Sequence, residues 1–171
     1  MYNKLLTAMR NRYLKIAVEV LLLIVLYLGI KAYMQRDLAA GPAPPLHGQL
    51  LSGETVDLQA LRNKPVLLHF WATWCKICKL EERSIQAIGK DHTLITVAME
   101  SGGPEQVSAY MRDNDLSYPV LVDENGRLAR RYGVRGVPAS FIIGPGGNIL
   151  YTEVGYTTPW GLRFRLWLAE P

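Results

Sequence analysis

The sequence predicts an α/β domain with a central mixed β-sheet flanked by helices, preceded by one N-terminal transmembrane helix. Three observations carry that expectation. An apolar run at residues 16–30 stands behind a basic terminus. Beyond a proline-rich stretch, strand-like and helix-like segments follow in the order β-α-β-α-β-α-β-β-α, the pattern of a sheet covered by helices. Cys75 and Cys78, the chain's two cysteines, fall where a strand meets a helix.

The elements follow in order. Residues 16–30 are apolar except for Glu19. With their flanks, 14–33, they approach the roughly 20 residues that span a bilayer. Lys15, Glu19 and Lys31 near the ends can snorkel. Lys4, Arg10, Arg12 and Lys15 predict a cytoplasmic N-terminus and a CxxC domain on the far side. A cleaved signal peptide competes with this reading. Its apolar region is long for one, and Leu38-Ala39-Ala40 has leucine where a small residue is wanted, so a retained anchor is expected. The expected organisation is a cytoplasmic basic terminus at 1–13, an anchor at 14–33, a linker at 34–45 ending in Ala-Ala-Gly-Pro-Ala-Pro-Pro, and one domain at 46–171.

Within that domain, 47–51 and 55–58 read as a hairpin about Ser52-Gly53. Residues 65–70 form a continuous apolar run, as a strand buried on both faces does. A helix is expected at 75–90, with Ile77, Leu80, Ile85 and Ile88 near one face. A strand at 93–99 precedes a helix from Pro104 to about Asp115, with proline near its first position. A strand at 118–122 ends in Asp-Glu-Asn-Gly. A short helix at 127–132 is closed by Gly133. Strands at 139–143 and 148–154 are joined by Gly144-Pro-Gly-Gly147, a hairpin signal. A helix at 159–168 closes the domain.

Charge excludes one class of function. The pI of about 9.1 implies a basic protein. Yet six of the 19 basic residues and one of the 15 acidic ones fall at or before Arg36, leaving 13 and 14 for the rest. The globular part is nearly neutral, so nucleic-acid binding loses its support.

The cysteine spacing carries the chemistry. In Trp71-Ala-Thr-Trp-Cys-Lys-Ile-Cys78, Cys75 stands at the start of a helix, whose free N–H groups and positive dipole end favour a thiolate. Lys76 and Lys79 add positive charge. Cys78 lies one turn on, within reach of Cys75. Cys75 is therefore expected to be the exposed nucleophile and Cys78 the shielded, resolving thiol. A purely structural disulfide is the bland account, but so short a loop removes little entropy from the unfolded chain. Zinc is not expected: there is no second CxxC, and His47, His69 and His92 lack ligand spacing.

The run Val66-Leu-Leu-His-Phe-Trp-Ala-Thr-Trp-Cys-Lys-Ile-Cys-Lys79, with Gly136-Val137-Pro138, resembles the thioredoxin fold. It is most similar to membrane-anchored TlpA-like thiol–disulfide oxidoreductases, over about residues 43–169. The tail from Gly155 to Leu168 looks like that of the suppressor-for-copper-sensitivity D branch. The resemblance implies a cis Val137–Pro138 bond facing the CxxC, with Trp74, Val137 and Pro138 contacting substrate. The chain also departs from the family. Lys76-Ile77 replaces a pair that often contains proline, and Arg83 replaces a kinking proline, so a straighter helix is expected. His69 stands where thioredoxin has a buried aspartate and could take a proton from Cys78; a hydrogen-bonded core histidine is the plainer account. Glu81 matches an acid of the cytochrome-c-maturation relatives, a tuning residue there; a solvated helix-face carboxylate is its plain alternative. Trp160, Phe164 and Trp167 are expected to pack on the sheet.

The functional expectation is a thiol–disulfide oxidoreductase of protein substrates outside the cytoplasm, anchored in the inner membrane. It needs no cofactor beyond its dithiol, and it exchanges electrons with a membrane relay or oxidase partner. The alternative is a copper(I)-binding or delivery module using the same thiolates. A cis-proline crowding the sulfurs, and the lack of a methionine directly before Cys75, count against it.

Overall fold

A computed structural model describes residues 2–61 and 63–170. Met1, Arg62 and Pro171 lie outside the described residues, as do the side chains of residues 2–11, Lys4 and Arg10 of the expected basic cluster among them. Two compact units are present, one ending at Arg36 and one starting at Asp37.

The first unit is a single helix, α1 (Tyr2–Gln35). Its stretch Arg12–Gln35 has 24 residues, and an 18-residue window within it has a mean hydropathy of 2.2. At about 1.5 Å per residue that is about 36 Å, long enough to cross a bilayer core. Its apolar side chains are exposed, unlike those of a core helix.

The second unit has the thioredoxin fold. A six-stranded sheet runs in the order β1 (Gly41–Pro42), β8 (Asn148–Val154), β7 (Ala139–Ile143), β4 (Val66–Trp71), β5 (Thr93–Met99), β6 (Val120–Asp123). β4, β5 and β6 are parallel, whereas β7 is antiparallel to β4 and β8 to β7. A separate hairpin pairs β2 (His47–Gln49) with β3 (Thr55–Asp57), and a 3-10 turn follows at Leu58–Leu61. The helices are α2 (Lys76–Ile88), α3 (Pro104–Asp113), α4 (Arg127–Arg131) and α5 (Pro159–Leu168).

β4 alternates between two cores. Leu67 and Trp71 face Ile85 and Ile88 of α2, Val107 and Met111 of α3, and Leu162 and Leu166 of α5. Val66, Leu68 and Phe70 face Leu46, Leu58, Ala129, Tyr132 and Phe141. Phe70, Tyr132 and Phe141 form an aromatic triangle with centroids 5.2–5.7 Å apart. Each large apolar side chain buried this way stabilises the fold by roughly 1.5–3 kcal/mol.

Three packing features differ from expectation. Residues 37–45, read as linker, are bound to the second unit. Ala39 N–H donates to the Tyr132 carbonyl at 2.9 Å, Tyr132 Oη donates to the Pro44 carbonyl at 2.7 Å, and Gly41–Pro42 pairs with β8. In α2 the buried face is Cys78, Glu81, Glu82, Ile85 and Ile88, while Ile77 and Leu80 are exposed. In α5, Leu162 and Leu166 enter the core, and Trp160, Phe164 and Trp167 point to solvent. A ten-residue helix apolar on two faces gives no sequence signal for which face the sheet takes.

Gly133 shows how tightly the 37–45 segment is held. It adopts φ +71°, and a Cβ there would lie 1.8 Å from the Asp37 carbonyl oxygen. Gly133→Ala should therefore destabilise the domain by at least about 2 kcal/mol, read as a lower urea midpoint with an unchanged slope. An unchanged midpoint would show that the segment is not packed against Gly133 in solution.

Candidate active site

The site forms where β4 runs out at the sheet edge. All six β4 side chains are buried, so the strand's end is fixed and the chain turns through Ala72-Thr73-Trp74 into α2. Cys75 is the N-cap of α2, with β-region backbone angles. Its Sγ accepts a hydrogen bond from Cys78 N–H at 3.1 Å. A side-chain acceptor at this position satisfies one of the free N–H groups of the first turn. With sulfur as acceptor, the same N–H favours a thiolate.

Cys75 and Cys78 form a disulfide, with Cα atoms 5.3 Å apart. Cys75 is 6 % exposed and Cys78 2 %. The expected contrast between an open and a shielded thiol is thus narrower than the sequence implied, because the loop that carries Pro138 covers Cys75. Cys75 Sγ lies 3.5 Å from the Val137 carbonyl oxygen, and the Val137–Pro138 bond is cis. Pro138 is buried and Val137 half-buried. The Pro138 carbonyl accepts from Gly155 N–H at 2.8 Å, which joins this loop to the end of β8.

A third loop holds the tryptophan. Trp74 Nε1 donates to the Glu100 carbonyl at 3.0 Å, and Thr73 N–H to Ser101 Oγ at 3.0 Å. Ser101 Oγ donates in turn to the Met99 carbonyl. The indole is pinned by its nitrogen, yet its ring is exposed. It is an exposed aromatic next to Cys75 in the chain. Lys76 is exposed on the first turn of α2.

His69 and Glu81 are both buried. His69 lies on the β4 face that carries Leu67 and Trp71, the face against which α2 packs. Its Nδ1 is 2.9 Å from Ser140 Oγ, its cross-strand neighbour on β7. Burial lowers its pKa to about 4, so the ring is neutral near pH 7. Glu81 accepts a hydrogen bond from Thr157 N–H. Burial raises its pKa to about 7, against the pull of that N–H.

The fold therefore gathers Cys75, Cys78, Val137 and Pro138 at one edge, with Trp74 and Lys76 beside them and His69 and Glu81 inside. Sequence reading missed the groups that orient these two titratable residues, Ser140 and Thr157, and the Glu100–Ser101 loop. Ser140 left a faint signal as the one polar residue in the apolar run 139–143. The partner of Glu81 is a backbone N–H, which leaves none.

A CxxC disulfide at a helix N-cap, faced by a cis-proline loop on this sheet, defines a thioredoxin-like protein. The chain belongs to the AhpC/TSA family, whose pattern matches residues 40–152. It is 30% identical over 162 residues to a thioredoxin-like protein of Haemophilus influenzae, covering 94% of this chain and 96% of that one. It is 28% identical over 120 residues to the thiol-disulfide oxidoreductase ResA of Bacillus thuringiensis, covering 63% of this chain and 65% of that one. Among solved structures it resembles a thiol:disulfide interchange protein from Chlorobium tepidum, at TM-score 0.67 and 26% identity, covering 78% of this chain and 98% of that chain.

Opposite pH dependences follow for the two buried groups. His69 has a depressed folded pKa, so the unfolded chain binds its proton more readily, and stability falls as pH drops from about 6.5 towards about 4. Glu81 has a raised folded pKa, so its contribution is present below about 4.5 and is lost as pH rises through about 7. In urea unfolding across pH 4–8, His69→Asn should flatten the acid arm and Glu81→Gln the neutral arm. A wild-type profile that Glu81→Gln leaves unchanged above pH 6 would place that carboxylate in solvent.

Proposed function

We propose that this protein is a membrane-tethered thiol–disulfide oxidoreductase that exchanges disulfides with protein cysteines on the extracytoplasmic side. One observation carries the reading: the Cys75–Cys78 disulfide at the N-cap of α2, against the Val137 carbonyl. The relatives' names, a thiol-disulfide oxidoreductase and a thiol:disulfide interchange protein, support its chemistry. In the reductive direction, Cys75 thiolate attacks a substrate disulfide and one substrate sulfur leaves as thiolate. Cys78, once deprotonated, then attacks Cys75 Sγ, releasing the second substrate thiolate and forming the Cys75–Cys78 disulfide. Two electrons pass to the substrate. The reverse sequence oxidises a substrate dithiol. The dithiol carries the electrons, so the proposal includes no further cofactor.

The neighbouring residues take their roles from this scheme. Val137 offers main-chain groups to an extended substrate segment beside Cys75, and Pro138 shapes that edge. Trp74 gives the segment an apolar platform. His69, neutral near pH 7 and held at Nδ1 by Ser140, keeps Nε2 for the Cys78 proton. Glu81, titrating near neutrality, tunes the pair. Lys76 adds positive charge next to Cys75. The copper-delivery alternative fits less well, since a carbonyl oxygen and a buried proline crowd the same sulfur.

The tether is α1. Arg12 and Lys15 at its start, with the basic residues before them, favour a cytoplasmic N-terminus and an extracytoplasmic domain. The tail from Gly155 to Leu168 points to the suppressor-for-copper-sensitivity D branch of the TlpA-like group. That branch supports a reductive or isomerase role fed by a membrane relay.

Two measurements test the assignment. Cys78→Ser should accumulate mixed disulfides through Cys75, seen as reductant-sensitive adducts, while Cys75→Ser should form none and lose insulin-disulfide reduction. Adducts carried by Cys78 would reverse the roles. His69→Asn should slow resolution of the mixed disulfide by about 10²-fold; unchanged turnover with a lower unfolding midpoint would leave His69 a core residue. A reductive role requires a potential near the thioredoxin value of about −270 mV, and an oxidative one a value nearer about −120 mV.

A further inference from the structure

We propose that the Glu82 carboxylate, held by the Tyr110 hydroxyl one helical turn past Cys78, is a fixed negative charge that keeps Cys78 protonated while Cys75 reacts. It thereby orders the two steps of disulfide exchange. The inference rests on the exchange scheme above and adds a residue that the scheme leaves idle. Glu82 belongs to the buried face of α2, with Cys78, Glu81, Ile85 and Ile88. A carboxylate taken out of water costs stability unless it is paired. Leucine at 82 would continue the apolar stripe without that cost, so packing does not explain the acid.

The partner of Glu82 comes from another helix. Tyr110 of α3 donates its hydroxyl to Glu82 Oε1. The Tyr110 ring rests on Trp71, with centroids 5.6 Å apart, and Trp71 Nε1 donates to Thr96 Oγ1 at 3.1 Å. Tyr118 packs edge-on against the same indole. The Glu82 charge reaches both phenols. Burial holds each hydroxyl above its ordinary pKa, and the carboxylate adds to the rise. Cys78 shares a core with Trp71 and Tyr118, and Tyr110 packs against that core. The charge therefore lies within the shell around the resolving sulfur.

Spacing makes the effect unequal on the two cysteines. Residues four apart on a helix are neighbours, with about 6 Å between their β-carbons. A unit charge at about 6 Å, with an effective dielectric of about 20, changes an ionisation constant about a hundredfold. Lys79 Nζ lies 5.5 Å from the Tyr110 ring centroid and offsets part of this, leaving about tenfold. Cys75 stands two turns before Glu82, about 10 Å along the axis. The Cys78 N–H at its sulfur and Lys76 beside it favour its thiolate. The other charged groups near Cys78 act differently. Glu81 faces Thr157, on the α5 side, and titrates near neutrality. His69 is neutral near pH 7. Arg163 and Arg165 of α5 pair with Asp91 and Glu153.

Ellman's reagent reads both steps, since Cys75 and Cys78 are the chain's two cysteines. Reduced full-length protein in detergent is mixed with the reagent in stopped flow between pH 5 and 10. Cys75 thiolate attacks the reagent disulfide and releases one thionitrobenzoate. Cys78 then gives up its proton and attacks Cys75 Sγ, closing the Cys75–Cys78 bond and releasing the second. In Glu82→Gln, which keeps an acceptor for Tyr110, the midpoint of the second phase should fall by about one pH unit. A thiolate of lower pKa is more abundant but less nucleophilic. The second phase should therefore be about threefold faster on the acid limb and about threefold slower on the alkaline plateau. The first phase should change by about twofold at most. Glu82→Leu with Tyr110→Phe removes both partners, leaves no unpaired buried group, and should give the same crossing. A second phase that keeps its midpoint in these variants overturns the role of Glu82, whatever their unfolding midpoints. Equal shifts of both phases overturn it too, since the charge would then not discriminate between the thiols. Wild-type protein that releases one equivalent, with no closure by Cys78, overturns the exchange scheme and this inference with it.

Discussion

β4 lies between β5 and β7 with no side chain reaching solvent. A strand buried on both faces must be covered from both sides, and the rest of the domain meets that demand. Helices α2, α3 and α5 cover one face; α4, the 3-10 turn and the segment from Leu38 to Leu50 cover the other. The constraint also fixes function. A strand that cannot shift delivers Cys75 to the sheet edge at one position, at the first free turn of α2.

Three loops then meet at Cys75, and each is fastened by backbone. Cys78 N–H points at the sulfur, the Val137 carbonyl lies beside it, and Trp74 hangs from the Glu100 carbonyl. Backbone groups cannot rotate away as side chains can, so the surroundings of the sulfur are set before a substrate arrives. The same face of the sheet buries two titratable groups whose pKa values are pushed apart. His69 is held neutral and Glu81 is brought close to neutrality. Such pairs are found at sites of proton transfer, and here both lie on the face that carries the cysteines.

The segment after α1 has a different consequence. Residues 37–45 read as a flexible linker by composition. Edge pairing of Gly41–Pro42 with β8, and the bonds of Ala39 and Pro44 to Tyr132, make them part of the domain. Proline and alanine composition reads as linker because these residues carry no patterning. Yet an edge strand of two residues needs none, since only its backbone is used.

The sequence by itself determined the fold class, the order of elements and the cysteine pair. Hydrophobic periodicity and the CxxC at a strand-to-helix junction are local features, and local features survive in one dimension. The tertiary structure alone decided which face of α5 meets the core and which carries the exposed aromatics. It decided that Ile77 and Leu80 are exposed while Glu81 is buried, and that Ser140 meets His69. Each of these depends on residues dozens of positions apart coming together. Burial is a property of the pair in contact, so no single segment of the chain could announce it.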